Sequence, residues 1–140
     1  ARLVCAWSAA TGVILSATMW LGQNLVVRLL LPPSAGDIFF SAWLMAVVFQ
    51  PINALAFASD GIHWGTGDFR FLRNVMIAAT TFGGIAIYLL DETVSGALSR
   101  IWLITACWIT IRAVFGVMRI WPGIGKSPLK SDLKNESNVR

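Results

Sequence analysis

Charge is what this sequence has least of. Asp, Glu, Lys and Arg make up 13% of its 140 residues, against about 25% in an ordinary soluble domain. Polar side chains must cover a water-exposed globule, so this scarcity argues against water as the main solvent. Histidine occurs once, at His63, and cysteine twice, at Cys5 and Cys107. A lone histidine without cysteines or carboxylates at ligand spacing gives no metal site, and none is expected. Both cysteines lie within apolar runs, where they read as small buried hydrophobes that do not fix a redox compartment. A nucleophile elbow, a phosphate-binding glycine loop and a pair of catalytic carboxylates are all missing. No catalytic residue, cofactor or enzymatic activity is therefore expected.

What is present is hydrocarbon. Hydrophobic residues reach 56%, and the mean hydropathy is +0.69. Leu3 to Val27 is 25 residues without a charge, Ile38 to Ser59 is 22, and Asn74 to Leu90 is 17. A fourth run, Ile101 to Met118, carries only Arg112. Crossing about 30 Å of bilayer core at 1.5 Å per residue takes roughly 17–25 such residues. The expected fold class is thus all-α integral membrane, with about four spans near 3–29, 38–60, 72–90 and 100–121. The first run is too long for a cleaved signal peptide, and Gln23-Asn24 is no small-residue cleavage site. The sequence opens on Ala1 with that run already under way, and we read it as a piece of a longer protein.

Breaks between the runs are chemically marked. Pro32-Pro33-Ser34-Ala35-Gly36-Asp37 cannot continue a helix. Gly61 to Arg73 holds three glycines and three charges and reads as a polar loop. Asp91-Glu92-Thr93 opens a third connector, in which Ser95, Gly96 and Ser99 offer turn and capping chemistry. Pro122-Gly123 should end the last helix, leaving 123–140 as a polar, disordered tail. If the spans alternate, Arg2, Arg70, Arg73, Arg119, Lys126, Lys130, Lys134 and Arg140 fall on one side, and only Arg28 and Arg100 on the other. Such a bias places both termini on the cytoplasmic side, or its stromal equivalent in an organelle. It also accounts for the net charge of +4 with no nucleic acid as partner. Trp7, Trp64 and Trp121 fit an inner interfacial belt, and Trp43 and Trp102 an outer one. Trp20 and Trp108 sit deeper and read as packing residues.

Segment two carries the most chemistry. Pro51 in mid-span removes a backbone donor and frees a carbonyl about one turn earlier. Gln50 and Asn53 add amides at the same depth, where polar groups need partners. Such a site either lines a water-filled cavity or bonds neighbouring helices. Arg112 lies about nine residues inside Trp121, roughly 13 Å, and Asp60 about seven residues inside Gly67, roughly 10 Å. Matching depths suggest an Asp60–Arg112 ion pair, static or gating, with separate snorkelling to the headgroups as the plainer alternative. His63 reads as an interfacial hydrogen-bonding residue. Ala79 and Gly83, with Thr80 and Gly84, carry small residues at a spacing that lets helices approach closely.

The ordered set Gln50-Pro51-Ile52-Asn53-Ala54-Leu55-Ala56-Phe57, Asp60-Gly61, Gly65 and Asp68-Phe69 resembles the tenth helix and following loop of multidrug and toxic compound extrusion (MATE) transporters. The DinF-like branch is the most similar, and Gly61-Ile62-His63-Trp64-Gly65 looks like its plant members. Ile111-Arg112-Ala113 through Gly116 and Arg119-Ile120 is similar to that branch's last helix. The resemblance covers roughly residues 40–125. It implies helices nine to twelve of a twelve-helix protein, most of its C-terminal lobe, with the N-terminal lobe as missing partner. It further implies cation-coupled antiport, by protons or sodium ions, of small organic solutes or xenobiotics. Gln50, Pro51 and Asn53 would then line the cavity, and Asp60 and Arg112 would stabilise or gate its inner side. The membrane would be a chloroplast envelope or a plasma membrane. An isolated piece is not expected to transport. The competing expectation is a small four-helix structural or assembly protein without transport of its own.

Overall fold

The structure, a computed structural model, describes residues 1–32, 35–91, 96–121 and 127–129, apart from the side chains of 37 and 38. Four helices account for almost all of them: α1 Arg2–Leu30, α2 Gly36–Gly65, α3 Phe69–Tyr88 and α4 Ala97–Ile120. Each is long and apolar enough to cross a bilayer. The shortest, α3, has 20 residues, about 30 Å at 1.5 Å per residue. The expected all-α membrane architecture is what forms. No strand occurs among the described residues.

The helices pack in the order α1, α2, α4, α3, so that α1 and α3 end up at opposite edges. This leaves α1 nearly bare, with Leu3, Trp7, Leu21 and Leu29 all exposed. In water such faces would drive aggregation; in lipid they are the ordinary outer surface. Trp20, expected to pack, is among the exposed residues. Cys107 is likewise exposed on α4, whereas Cys5 is buried.

Close helix approach rests on small residues. A Cβ added to Gly12 of α1 would lie 2.7 Å from the Pro51 Cα and 2.9 Å from the Ala54 Cβ, so only glycine lets α1 reach α2 here. The same crossing solves the problem that Pro51 creates. Proline has no N–H to offer the carbonyl four residues earlier, which is that of Val47. The Ser16 hydroxyl of α1 donates to that Val47 carbonyl at 2.7 Å, and α2 continues unbroken through Pro51. One turn further along, Trp43 Nε1 donates to the Met19 carbonyl at 3.2 Å. On α3 the two small-residue pairs separate. Ala79 and Gly83 are buried, with Gly83 against Trp108 of α4, while Thr80 and Gly84 are exposed.

The segment 61–73 differs from its expected loop. Helix α2 runs through Gly61 to Gly65, and α3 begins at Phe69, so the connection is only Thr66-Gly67-Asp68. Two helical glycines cost about 1 kcal/mol each relative to alanine, but ending α2 at Asp60 would unseat the fully buried His63. The stop is made at Gly67, whose φ of 72° is left-handed. Gly67 N–H donates to the Trp64 carbonyl at 3.2 Å, and Asp68 N–H to the His63 carbonyl at 2.9 Å, the paired bonds of a Schellman turn. At the other end, Gly96 caps α4 with φ 85° and no side-chain hydrogen bond. Ser99, a candidate cap, donates instead to the Ser41 hydroxyl of α2 at 2.8 Å. The expectations for Pro33-Ser34, for Glu92 to Ser95, and for Pro122 and the tail lie outside the described residues, save 127–129. There the Ser127 hydroxyl donates to the Ile120 carbonyl at 2.9 Å.

Candidate functional site

Helices α2 and α4 run parallel, as the pairs Ser41–Ser99 near their starts and His63–Gly116 near their ends require. Parallel packing brings the polar residues from the last third of each helix face to face. Gly116 makes this possible: a Cβ there would fall 2.5 Å from Ser59 Oγ and 2.9 Å from Ser59 Cβ. With α2 and α4 this close, two ionic groups form between them.

In the first, Arg112 Nη2 donates to Asp60 Oδ2. The guanidinium sits 4.8 Å from the Trp108 ring centroid and 5.8 Å from that of Phe57. Two aromatic faces thus carry part of the solvation that water gave up, and the carboxylate carries the rest. Arg112 Nε is buried without a hydrogen-bond partner. Arg112 is 6% exposed, so a cation here would be untenable without these contacts.

The second group is built by the short turn. Because Gly67 folds the chain back, Asp68 lies beneath His63 and beside α4. Arg119 Nε donates to Asp68 Oδ2 at 2.9 Å and Arg119 Nη2 to Oδ1 at 3.3 Å, a two-point contact of the kind guanidinium and carboxylate favour. His63 Nδ1 stands 3.5 Å from Asp68 Oδ2, and Nε2 stands 3.2 Å from the Gly116 carbonyl. Nδ1 is buried and makes no hydrogen bond. Phe71 closes the group, 5.0 Å from the His63 ring and 4.9 Å from the Arg119 guanidinium. The carboxylate engaged by Arg119 gives the α3 N-terminus no side-chain cap.

The other expected site residues fall into two places. Gln50 and Asn53 line a small cleft of about 80 Å³ between α2 and α4, with Phe49, Trp102, Thr105 and Ile109. Pro51 is not with them; it lies toward α1, against Gly12. Asp60 and Arg112 come together at the α2–α4 contact. Sequence reasoning missed the His63–Asp68–Arg119 group. Its one signal was Gly67-Asp68 placed so that Asp68 follows His63 by five residues, the spacing of a Schellman turn. Among the described residues no cluster of three or more potential metal ligands occurs.

Four long apolar helices, joined by small residues and by ion pairs that reach α4 from α2 and from the turn after it, define a multi-pass helical membrane protein. Within that class the chain is similar to plant proteins of the MATE family. It is 32% identical to Protein DETOXIFICATION 43 of Arabidopsis thaliana over 76 residues, 54% of this chain and 14% of that protein. It is 28% identical to the chloroplastic Protein DETOXIFICATION 44 over 101 residues, 68% of this chain and 19% of that one. With the chloroplastic Protein DETOXIFICATION 45 it shares 33% identity over 78 residues, 55% of this chain and 13% of that protein. The resemblance to MATE proteins seen in segment two therefore extends over more than half of this chain. The chain spans under a fifth of the length of these relatives. No family model and no solved structure matches it.

Proposed function

We propose that this chain is part of a cation-coupled antiporter that exports organic solutes or xenobiotics, and that it supplies four helices of the C-terminal lobe. The carrying observation is its similarity to DETOXIFICATION proteins over more than half of its length, at under a fifth of theirs. In this reading the exposed faces of α1 and α3 meet lipid or the rest of the same transporter, and the four helices alone do not transport. Gln50 and Asn53, at the α2–α4 cleft, would offer amides to the solute pathway. Asp60 and Arg112 would hold the two helices together on the inner side and could part when the pathway opens there. The coupling ion, a proton or a sodium ion, follows from the family alone. Two relatives are named chloroplastic, which favours a chloroplast membrane over the plasma membrane, and the arginine and lysine bias would put the termini on its stromal side.

The test is the transcript upstream of Ala1 joined to a flux assay. The reading expects further apolar helices in frame, solute flux driven by a proton or sodium gradient from the longer protein in proteoliposomes, and no flux from the 140 residues alone. A start codon directly before Ala1 in a message encoding a stable four-helix protein would contradict it.

A further inference from the structure

A second concavity lies away from the cleft of Gln50 and Asn53. It opens between the end of α2 and the start of α3, has a volume of about 380 Å³, and is lined by Asp60, Trp64, Phe69, Leu72 and Met76, with Arg70 and Arg73. Leu72 is buried at its floor, while Trp64 and Phe69 stand exposed at its walls and meet edge-to-face at 5.4 Å. The two arginines are three residues apart on α3, so they share a face of the helix. Both are exposed. Neither is joined to a carboxylate among the described residues, and Arg73 bonds only the neighbouring Asn74 amide, at 3.4 and 3.3 Å. The acids close by are already engaged, Asp60 with Arg112 and Asp68 with Arg119. The rim therefore carries two unneutralised positive charges above an apolar cleft.

Position in the membrane completes the case. The turn Thr66-Gly67-Asp68 joins two spanning helices and must lie at a bilayer surface, which puts Arg70 and Arg73 at headgroup depth and Met76 one to two turns deeper. An occupant needs an anionic head for the rim and an apolar chain for the cleft. We infer that this cleft binds an anionic glycerophospholipid, its phosphate on Arg70 and Arg73 and part of one acyl chain beside Trp64, Leu72 and Met76. The site needs the membrane placement of α2 and α3 and does not depend on the transporter reading. A surface arginine contributes about 1 kcal/mol toward anionic lipid, so two give a preference of roughly 20- to 30-fold.

The full chain in detergent, titrated with phosphatidylglycerol or phosphatidylcholine bearing brominated acyl chains, tests this through quenching of tryptophan fluorescence. The Trp64 signal is isolated as the difference from Trp64→Phe. Phosphatidylglycerol should quench Trp64 at roughly 20- to 30-fold lower concentration than phosphatidylcholine. Arg70→Gln with Arg73→Gln should bring the two lipids level, and Arg70→Lys with Arg73→Lys should keep most of the preference, which shows that charge and not misfolding is read. Millimolar inorganic phosphate should leave the quenching in place. Equal quenching by both lipids, a preference that survives the glutamine pair, loss of preference in the lysine pair, or displacement by inorganic phosphate would each overturn the assignment.

Discussion

The α1–α2 crossing and the α2–α4 end are held together by opposite means. At the first, a glycine meets a proline, and the polar contacts are neutral ones, a serine hydroxyl on the carbonyl that the proline left free and an indole N–H on the Met19 carbonyl. At the second, two carboxylates, two guanidiniums and an imidazole are gathered within a few turns of each other. Hydrocarbon gives no hydrophobic drive for helices to associate, so contact comes either from close backbone approach or from polar groups with nowhere else to go. Sites of the first kind depend on shape and tolerate no added atoms. Sites of the second depend on partnership and tolerate no deletions.

Substitutions should separate the two, read as stability of the chain in mixed micelles titrated with sodium dodecyl sulfate and followed by far-ultraviolet circular dichroism. Asp68→Ala has the largest expected cost, roughly 3 kcal/mol, because it removes the two-point carboxylate contact of Arg119 in a largely buried group. Gly12→Ala should follow at about 2 kcal/mol, since the new methyl meets Pro51 backbone and not a side chain that can turn away. Ser16→Ala should cost about 1 kcal/mol by orphaning the Val47 carbonyl; Ser16→Ala combined with Pro51→Ala, which restores the helix's own donor, should recover most of it. Gly84→Ala, on an exposed face with nothing within 4 Å, should be neutral or slightly stabilising, by up to about 1 kcal/mol of helix propensity. A Gly84→Ala cost as large as that of Gly12→Ala would remove the distinction between contact and exposed glycines.

The same contrast explains what could be read from the sequence. Four apolar runs were legible because bilayer thickness sets a length that hydropathy exposes directly. The consequence of Pro51 was legible too, since a proline always frees the carbonyl four residues before it; that Ser16 would serve it was not, because nothing local links residues 16 and 47. Of the two small-residue pairs on α3, only Ala79–Gly83 faces a neighbour, as the rotation of α3 against α4 decides. Depth counting gave Asp60 and Arg112 a shared level and no more; helix rotation and the parallel α2–α4 packing determine which side chains touch. The His63–Asp68–Arg119 group was hidden for another reason. Three glycines and three charges between 61 and 73 look like a loop, and only the burial of His63 reveals that α2 runs on to Gly65.

Pairing across helices is the claim on which the site rests, and a double-mutant cycle at Asp60 and Arg112 in the micelle unfolding assay measures it without intermediaries. The expected result is a coupling of at least about 1 kcal/mol, each single alanine variant being destabilised and the second substitution adding little to the first. Effects that add to within about 0.3 kcal/mol would mean that the two charges are solvated separately, and that nothing ionic ties α2 to α4 at that level.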